Sequence, residues 1–291
     1  MPFQFVSDRE KLLLERARAM EYREVARGRN LSIHFYLPKN LEEGPARPVF
    51  LFFNAGGWDR GNVVQFAPQA LFYVERGVVC GLAEYRNRTS HPDSTPIDSL
   101  RDGRSAIRFV RRHQANLHVD PQKLVAFGAG AGANIVGSAS LKTRLSADES
   151  EYDLSAAQPD AAVMFSAIVE VARGTYGFDQ FSDPSDCAKA SLTRCVEPGA
   201  APMLLIHGTA DRLASCDRAA DFATAMRERK NECEFVEFEG RDHSFFNWNV
   251  DPASYEACLA CVDDFLDRRG VLKKSERDDE TRIISRREED Y

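Results

Sequence analysis

The chain has 291 residues, 43% hydrophobic and 29% charged, which is enough for a sizeable core and excludes a disordered chain. Its 38 Lys and Arg against 45 Asp and Glu leave a net charge of −7, so nothing overall attracts nucleic acid or an anionic membrane. No apolar run reaches the roughly 18–20 residues of a membrane span, and the start at Met1 lacks the basic and apolar stretches of a secretory leader, so a cytoplasmic location is expected.

Taken in chain order, residues 1–21 read as a helical extension. A hairpin follows, with strands at 24–25 and 31–37 about the turn Gly28-Arg29-Asn30. The continuous apolar run at 48–53 is that of a strand covered on both faces, and similar runs recur at 78–82, 124–127, 161–165, 203–206 and 234–238. Helical spacing separates them at 64–76, 99–114, 131–141, 217–230 and 252–268. Strands alternating with helices predict an α/β fold, a mostly parallel sheet with helices on both faces. Residues 169–198, rich in Ser, Asp, Gly and Cys, read as a small lid-like insertion, and 270–291 as a charged, mobile tail.

Seven scattered cysteines do not make a disulfide framework. Cys258 and Cys261 lie three apart on a helical pattern with no second pair at zinc spacing, and read as core residues. Cys187 and Cys195 are close enough in sequence to bridge the insertion, a point the sequence leaves open. No metal or organic cofactor is implied.

Ligands of open α/β sheets bind beyond the carboxyl ends of the strands, so the residues after each strand are the first candidates. Asn54-Ala55-Gly56-Gly57-Trp58 follows the run at 48–53, and its glycines can present N–H groups unobstructed, as an oxyanion hole requires. At 124–134 a strand runs through Gly128-Ala129-Gly130-Ala131-Gly132 into a helix, the setting of the nucleophile elbow Gly-x-Ser-x-Gly. The serine position is Gly130. The spacing is neither that of a P-loop nor that of a dinucleotide fingerprint. Finally, His207-Gly208-Thr209-Ala210-Asp211 and Gly240-Arg241-Asp242-His243 each follow a strand, and an Asp held against a His makes a general base.

From about Tyr22 to Arg268 the chain resembles the α/β-hydrolase family, in the branch of small esterases related to hormone-sensitive lipase and acetyl-xylan esterase. The resemblance rests on Asn-Ala-Gly-Gly-Trp, where the family has His-Gly-Gly-Gly-Trp, on Glu84-Tyr85-Arg86, and on Asp98 and Asp102. Val119-Asp120-Pro121, His-Gly-Thr-Ala-Asp and Asp-His-Ser-Phe-Phe-Asn complete it. It implies a single hydrolase domain over 22–269 and a small acyl or ester ligand. It also implies Asp211 as the acid, His243 as the base, and the amides of Gly56, Gly57 and Ala131 as oxyanion donors. Arg86 with Asp98 or Asp102 corresponds to a structural ion pair. Asn54, Trp58, Ser166 and Phe245 are candidates for the pocket, with Phe246 and Trp248 beside Phe245 reading equally well as an aromatic wall or as core.

The departure is at the nucleophile, which falls on Gly130. Loss of a triad nucleophile costs about six orders of magnitude in turnover, while the strained elbow is one that glycine adopts at little cost. The leading expectation is a degenerate hydrolase that keeps its pocket for binding. The alternatives are an active enzyme using His243–Asp211 as general base for water attack or proton abstraction, and a substitute nucleophile at Ser166 or Ser244, for which polar pocket lining is the plainer explanation. An engineered Gly130 would not need Ala129 and Ala133 beside it.

Overall fold

The structure, a computed structural model, describes residues 8–25, 29–146 and 149–274. The chain divides into two compact units, Met1–Ser244 and Phe245–Tyr291, at a boundary no composition shift marks. The expected single domain over 22–269 thus spans the whole of neither unit.

The first unit is built on one sheet of eight strands: β1 (Arg18–Arg23), β2 (Leu31–Tyr36), β3 (Arg47–Phe53), β4 (Val79–Ala83), β5 (Val119–Ala129), β6 (Ala161–Phe165), β7 (Met203–Gly208) and β8 (Cys233–Phe238). Their order is β1-β2-β4-β3-β5-β6-β7-β8. β2 runs antiparallel to both its neighbours, and every pairing from β4 to β8 is parallel. The helices of this unit are α1 (Asp8–Glu15), α2 (Ala67–Glu75), α3 (Pro96–Arg112), α4 (Gln114–Leu117), α5 (Ala131–Ser140), α6 (Glu151–Ala156), α7 (Pro184–Ala190) and α8 (Cys216–Glu228).

Alternation along β3 assigns its two faces. Val49, Leu51 and Phe53 join the main core with Leu100 and Ile107 of α3, Ile135 of α5 and Phe222 of α8. Phe50 and Phe52 point the other way, into an aromatic cluster with Phe127, Phe66 and Tyr73 of α2. Burial on both faces is why these strands read as continuous apolar runs.

The first strand differs from expectation. It is Arg18–Arg23 and not 24–25, so the sheet begins inside the stretch read as a helical extension, and the helix ends at Glu15. An edge strand needs no apolar run: Arg-Ala-Met-Glu-Tyr-Arg is half polar, and it is held by its ladder to β2, by Tyr22 Oη donating to the Glu84 carbonyl oxygen at 2.5 Å, and by an Arg23–Asp102 ion pair at 3.1 Å. Gly28 of the expected turn lies outside the described residues, as does the charged tail beyond Lys274.

All seven cysteines are free, and Cys187 and Cys195 are not bridged. The Cys195 thiol turns instead to the carbonyl oxygens of Ala188 and Lys189. The second unit holds α9 (Pro252–Arg268), capped by Asp251, with Cys258 buried on its apolar side. Phe245 and Phe246 are buried there and meet edge to face at 6.0 Å, while the half-exposed Trp248 lies against Tyr255. Among the described residues no helix is long and apolar enough to cross a membrane.

Candidate active site

The turn from β5 into α5 is set by close backbone approach. A β-carbon on Gly132 would lie 2.1 Å from the Phe53 carbonyl oxygen, and one on Gly128 would lie 2.3 Å from that of Gly132. Both positions exclude any side chain, and this allows β3, β5 and α5 to meet. Between them Gly130 adopts φ +52° and ψ −112°, with its amide bonded to the Phe165 carbonyl oxygen at 3.1 Å. A β-carbon there would point at the imidazole of His243, 3.3 Å from Nε2 and 3.7 Å from Cε1.

His243 comes from the loop after β8. Its Nδ1 donates to Asp211 Oδ2 at 2.8 Å, which leaves Nε2 as the acceptor facing Gly130. Asp211, in the loop after β7, has a fully buried side chain. Oδ1 accepts from the amides of Leu213 and Ala214, both at 2.9 Å, and Oδ2 is also 3.2 Å from His207 Nε2. Burial alone would raise the carboxyl pKa, but the hydrogen bonds from His207, His243 and the Ala214 amide outweigh it and hold Asp211 well below the ordinary carboxylate range. Nearby Cys216 is no reactive thiol: burial first, then Glu237, pushes it up to about 12.

The third side of the site is the loop after β3. Gly56 (φ +145°), Gly57 (φ +60°) and Trp58 (φ +62°) turn it back on itself, with the Gly56 carbonyl oxygen accepting from Asp59 and Arg60. Ala55 N–H donates to Gln65 Oε1 at 2.7 Å, and Tyr85 Oη donates to the Asn54 carbonyl oxygen at 2.9 Å. The neighbouring chain pins it further, Arg88 N–H donating to the Trp58 carbonyl oxygen at 2.9 Å. That segment is fixed in turn by Arg86, which forks onto Asp102 through Nε at 2.8 Å and a terminal nitrogen at 2.7 Å. Of the two expected acidic partners, Asp102 takes the bidentate contact, while Asp98 lies 3.4 Å away and closes the capping box with Thr95. Ala131, the first residue of α5, has an N–H with no intrahelical acceptor, beside the positive end of the helix dipole.

The structure places the four pocket candidates as follows. Asn54 turns its amide onto the Ala55 carbonyl oxygen at 2.6 Å, and Trp58 is buried edge-on against Phe181 of the insertion at 5.3 Å. Ser166 is fully buried at the end of β6 with φ +45°, and Phe245 belongs to the second unit. A cavity of about 740 Å³ is lined instead by Ala167 and Ile168 after β6, Arg173 and Tyr176 of the insertion, and Asp211 and Leu213 after β7. It adjoins the turn and the loop: Ile168 N–H reaches the Gly130 carbonyl oxygen at 3.4 Å, and Tyr176 Oη would be 2.6 Å from a β-carbon on Gly57. These wall residues follow strands β6 and β7, the position that ligand-binding residues occupy in such sheets, but nothing in their types separates them from ordinary loop.

With Gly130, His243–Asp211 and the glycine loop gathered at one sheet edge, comparison with known proteins becomes informative. Residues 33–226 match the BD-FAE family. The chain belongs to it. This BD-FAE member has the α/β-hydrolase fold. It is 25% identical over 254 residues to isoprenylcysteine alpha-carbonyl methylesterase ICME of Arabidopsis thaliana, covering 78% of this chain and 56% of the plant protein. The chain therefore spans about half the length of that relative. Among solved structures, Thermogutta terrifontis esterase 2 phosphoramylated by tabun superposes with a TM-score of 0.82 at 32% identity, covering 90% of this chain and 98% of that one. The propionate-bound form of the same esterase gives 0.81 at 31% identity, covering 90% and 97%.

Proposed function

We propose that this BD-FAE member is a hydrolase-fold protein that binds a small acyl or ester ligand at a triad whose nucleophile position is Gly130. The observation that carries the reading is the aim of Gly130: its missing β-carbon would face His243 Nε2 at 3.3 Å, while Asp211 holds the other ring nitrogen at 2.8 Å. Acid and base are poised, and the residue between them has no group that can form an acyl intermediate. Gly56, Gly57 and Ala131 supply the amides for a carbonyl or carboxylate oxygen. The cavity beside Tyr176 and Leu213 is roomy enough for a short acyl chain. The neighbour's propionate-bound form supports a ligand of this size.

A second reading is favoured by the intact His243–Asp211 bond: as Nε2 takes a proton from water, the water oxygen adds to an ester carbonyl held by the loop amides, and collapse of that adduct breaks the ester C–O bond and releases the alcohol, which takes the proton back from Nε2. The two separate by assay. The binding reading expects wild-type turnover of 4-nitrophenyl butyrate no greater than that of His243→Ala, together with saturable binding of butyrate by calorimetry. Turnover that falls on His243→Ala overturns it in favour of the second. Gly130→Ser is expected to gain esterase activity and to be labelled by a serine-directed phosphonate. No gain in a folded variant sinks the assignment of Gly130 as the nucleophile position.

A further inference from the structure

His207 closes the row of β7 side chains, Met203 and Leu205 among them, that face the main core, and it is fully buried. Its Nε2 lies 2.9 Å from the Ala214 carbonyl oxygen, which can only accept, so Nε2 carries the proton. The same nitrogen is 3.2 Å from Asp211 Oδ2. Nδ1 has no hydrogen-bond partner among the described residues, so a proton there would find no acceptor. Pairing of Phe165 with Ile206 brings Ser166 alongside in the neighbouring strand, and its buried hydroxyl is likewise without a partner among the described residues.

Asp211 therefore meets four contacts: full donors from the Leu213 and Ala214 amides on Oδ1 and from His243 Nδ1–H on Oδ2, and, at 3.2 Å from Oδ2, the one His207 Nε2–H proton that it shares with the Ala214 carbonyl oxygen. That matches the roughly four lone-pair sites of a carboxylate. We infer that His207 is a positioning residue for the pair, fixing Oδ2 at the point where His243 Nδ1 meets it. The amides alone would leave Oδ2 free to swing with the carboxylate plane. The inference rests on reading His243 and Asp211 as a functional pair.

Proton–nitrogen correlation spectra of the imidazole rings of the full chain test it. In the wild type, His207 is expected as the Nε2–H tautomer and His243 with a low-field Nδ1–H resonance. His207→Leu should abolish that resonance in a protein that still melts cooperatively, and His207→Gln, which keeps a side-chain N–H donor, should retain it. A His207 proton on Nδ1, or a His243 resonance indifferent to His207→Leu, overturns the inference. Should His207→Leu fail to fold, His207→Ala takes its place: loss of the resonance there upholds the inference and retention overturns it. Absence of the His243 resonance from the wild type would instead sink the reading of the pair itself.

Discussion

A β-carbon on Gly130 would stand 3.3 Å from Nε2 of His243, on a backbone at φ +52° that side-chain-bearing residues rarely adopt. Glycine releases the strain that such a residue stores there, which is of the order of 1–3 kcal/mol. Gly130→Ala and Gly130→Ser should therefore lose stability by similar amounts, at about 2–4 °C of melting temperature per kcal/mol. Only the serine variant should turn over ester. Matched thermal melts and 4-nitrophenyl butyrate assays on the two variants check this, and an alanine variant as stable as wild type would show that the turn relaxes.

The pH dependence follows from Asp211. Its folded pKa lies below the unfolded value, because hydrogen bonds from His207, His243 and the Ala214 amide outweigh burial. The stability it contributes is complete above the ordinary carboxylate range and is lost as pH falls from that range through the depressed folded value. Urea midpoints measured from pH 7 down to the acid limit should fall more steeply in wild type than in Asp211→Asn, which has no carboxylate to protonate. Parallel curves would mean that Asp211 contributes nothing to acid unfolding.

Much of this was legible in the sequence because the local signals agree with the tertiary outcome. The runs at 48–53 and 161–165 are strands buried on both faces, and His243 and Asp211 follow strands that end at one sheet edge. What stayed hidden is what only tertiary contact decides. Arg18–Arg23 carries no apolar run because an edge strand is held by its ladder and by ion pairs. Trp58 packs in the core cluster, edge-on to Phe181 of the insertion, a contact between distant segments that residue type does not announce. Tyr176 and Leu213 line the cavity through loop conformation, which residue type does not encode.

The Arg86–Asp102 pair supports the site at one remove. Asp102 is fully buried and receives the Arg86 amide as well as its guanidinium, fixing the segment whose Arg88 amide holds the Trp58 loop. Removing the Asp102 carboxylate leaves the Arg86 guanidinium to Asp98 alone, 3.4 Å away, at a cost no greater than the about 3–5 kcal/mol of a buried charge left without any partner. Asp102→Asn should be destabilised by up to that much, and Arg86→Met with Asp102→Leu should recover most of the loss. Chemical unfolding of the single and double variants measures it. A double variant no better than the single would mean that the pair is held mainly by its packing and not by its charges.

Asn134 ties the insertion to the helix that begins at the Gly130 turn. From inside α5 its Nδ2 donates to the carbonyl oxygens of Ile168 at 2.7 Å and Ala190 at 2.8 Å, which lie just before and well within residues 169–198. The side chain is fully buried, so Asn134→Leu leaves both carbonyls without their donor in an apolar surrounding, at about 1–3 kcal/mol each. Because both carbonyls belong to the insertion or its root, the damage should be local. Hydrogen exchange is expected to quicken from Ile168 to Ala190, including Tyr176 over Gly57, with β3 and β5 protected as in wild type. Butyrate binding should weaken along with it, since Tyr176 lines the cavity. Faster exchange spread evenly over the sheet would show that Asn134 supports the core at large and does not anchor the insertion specifically.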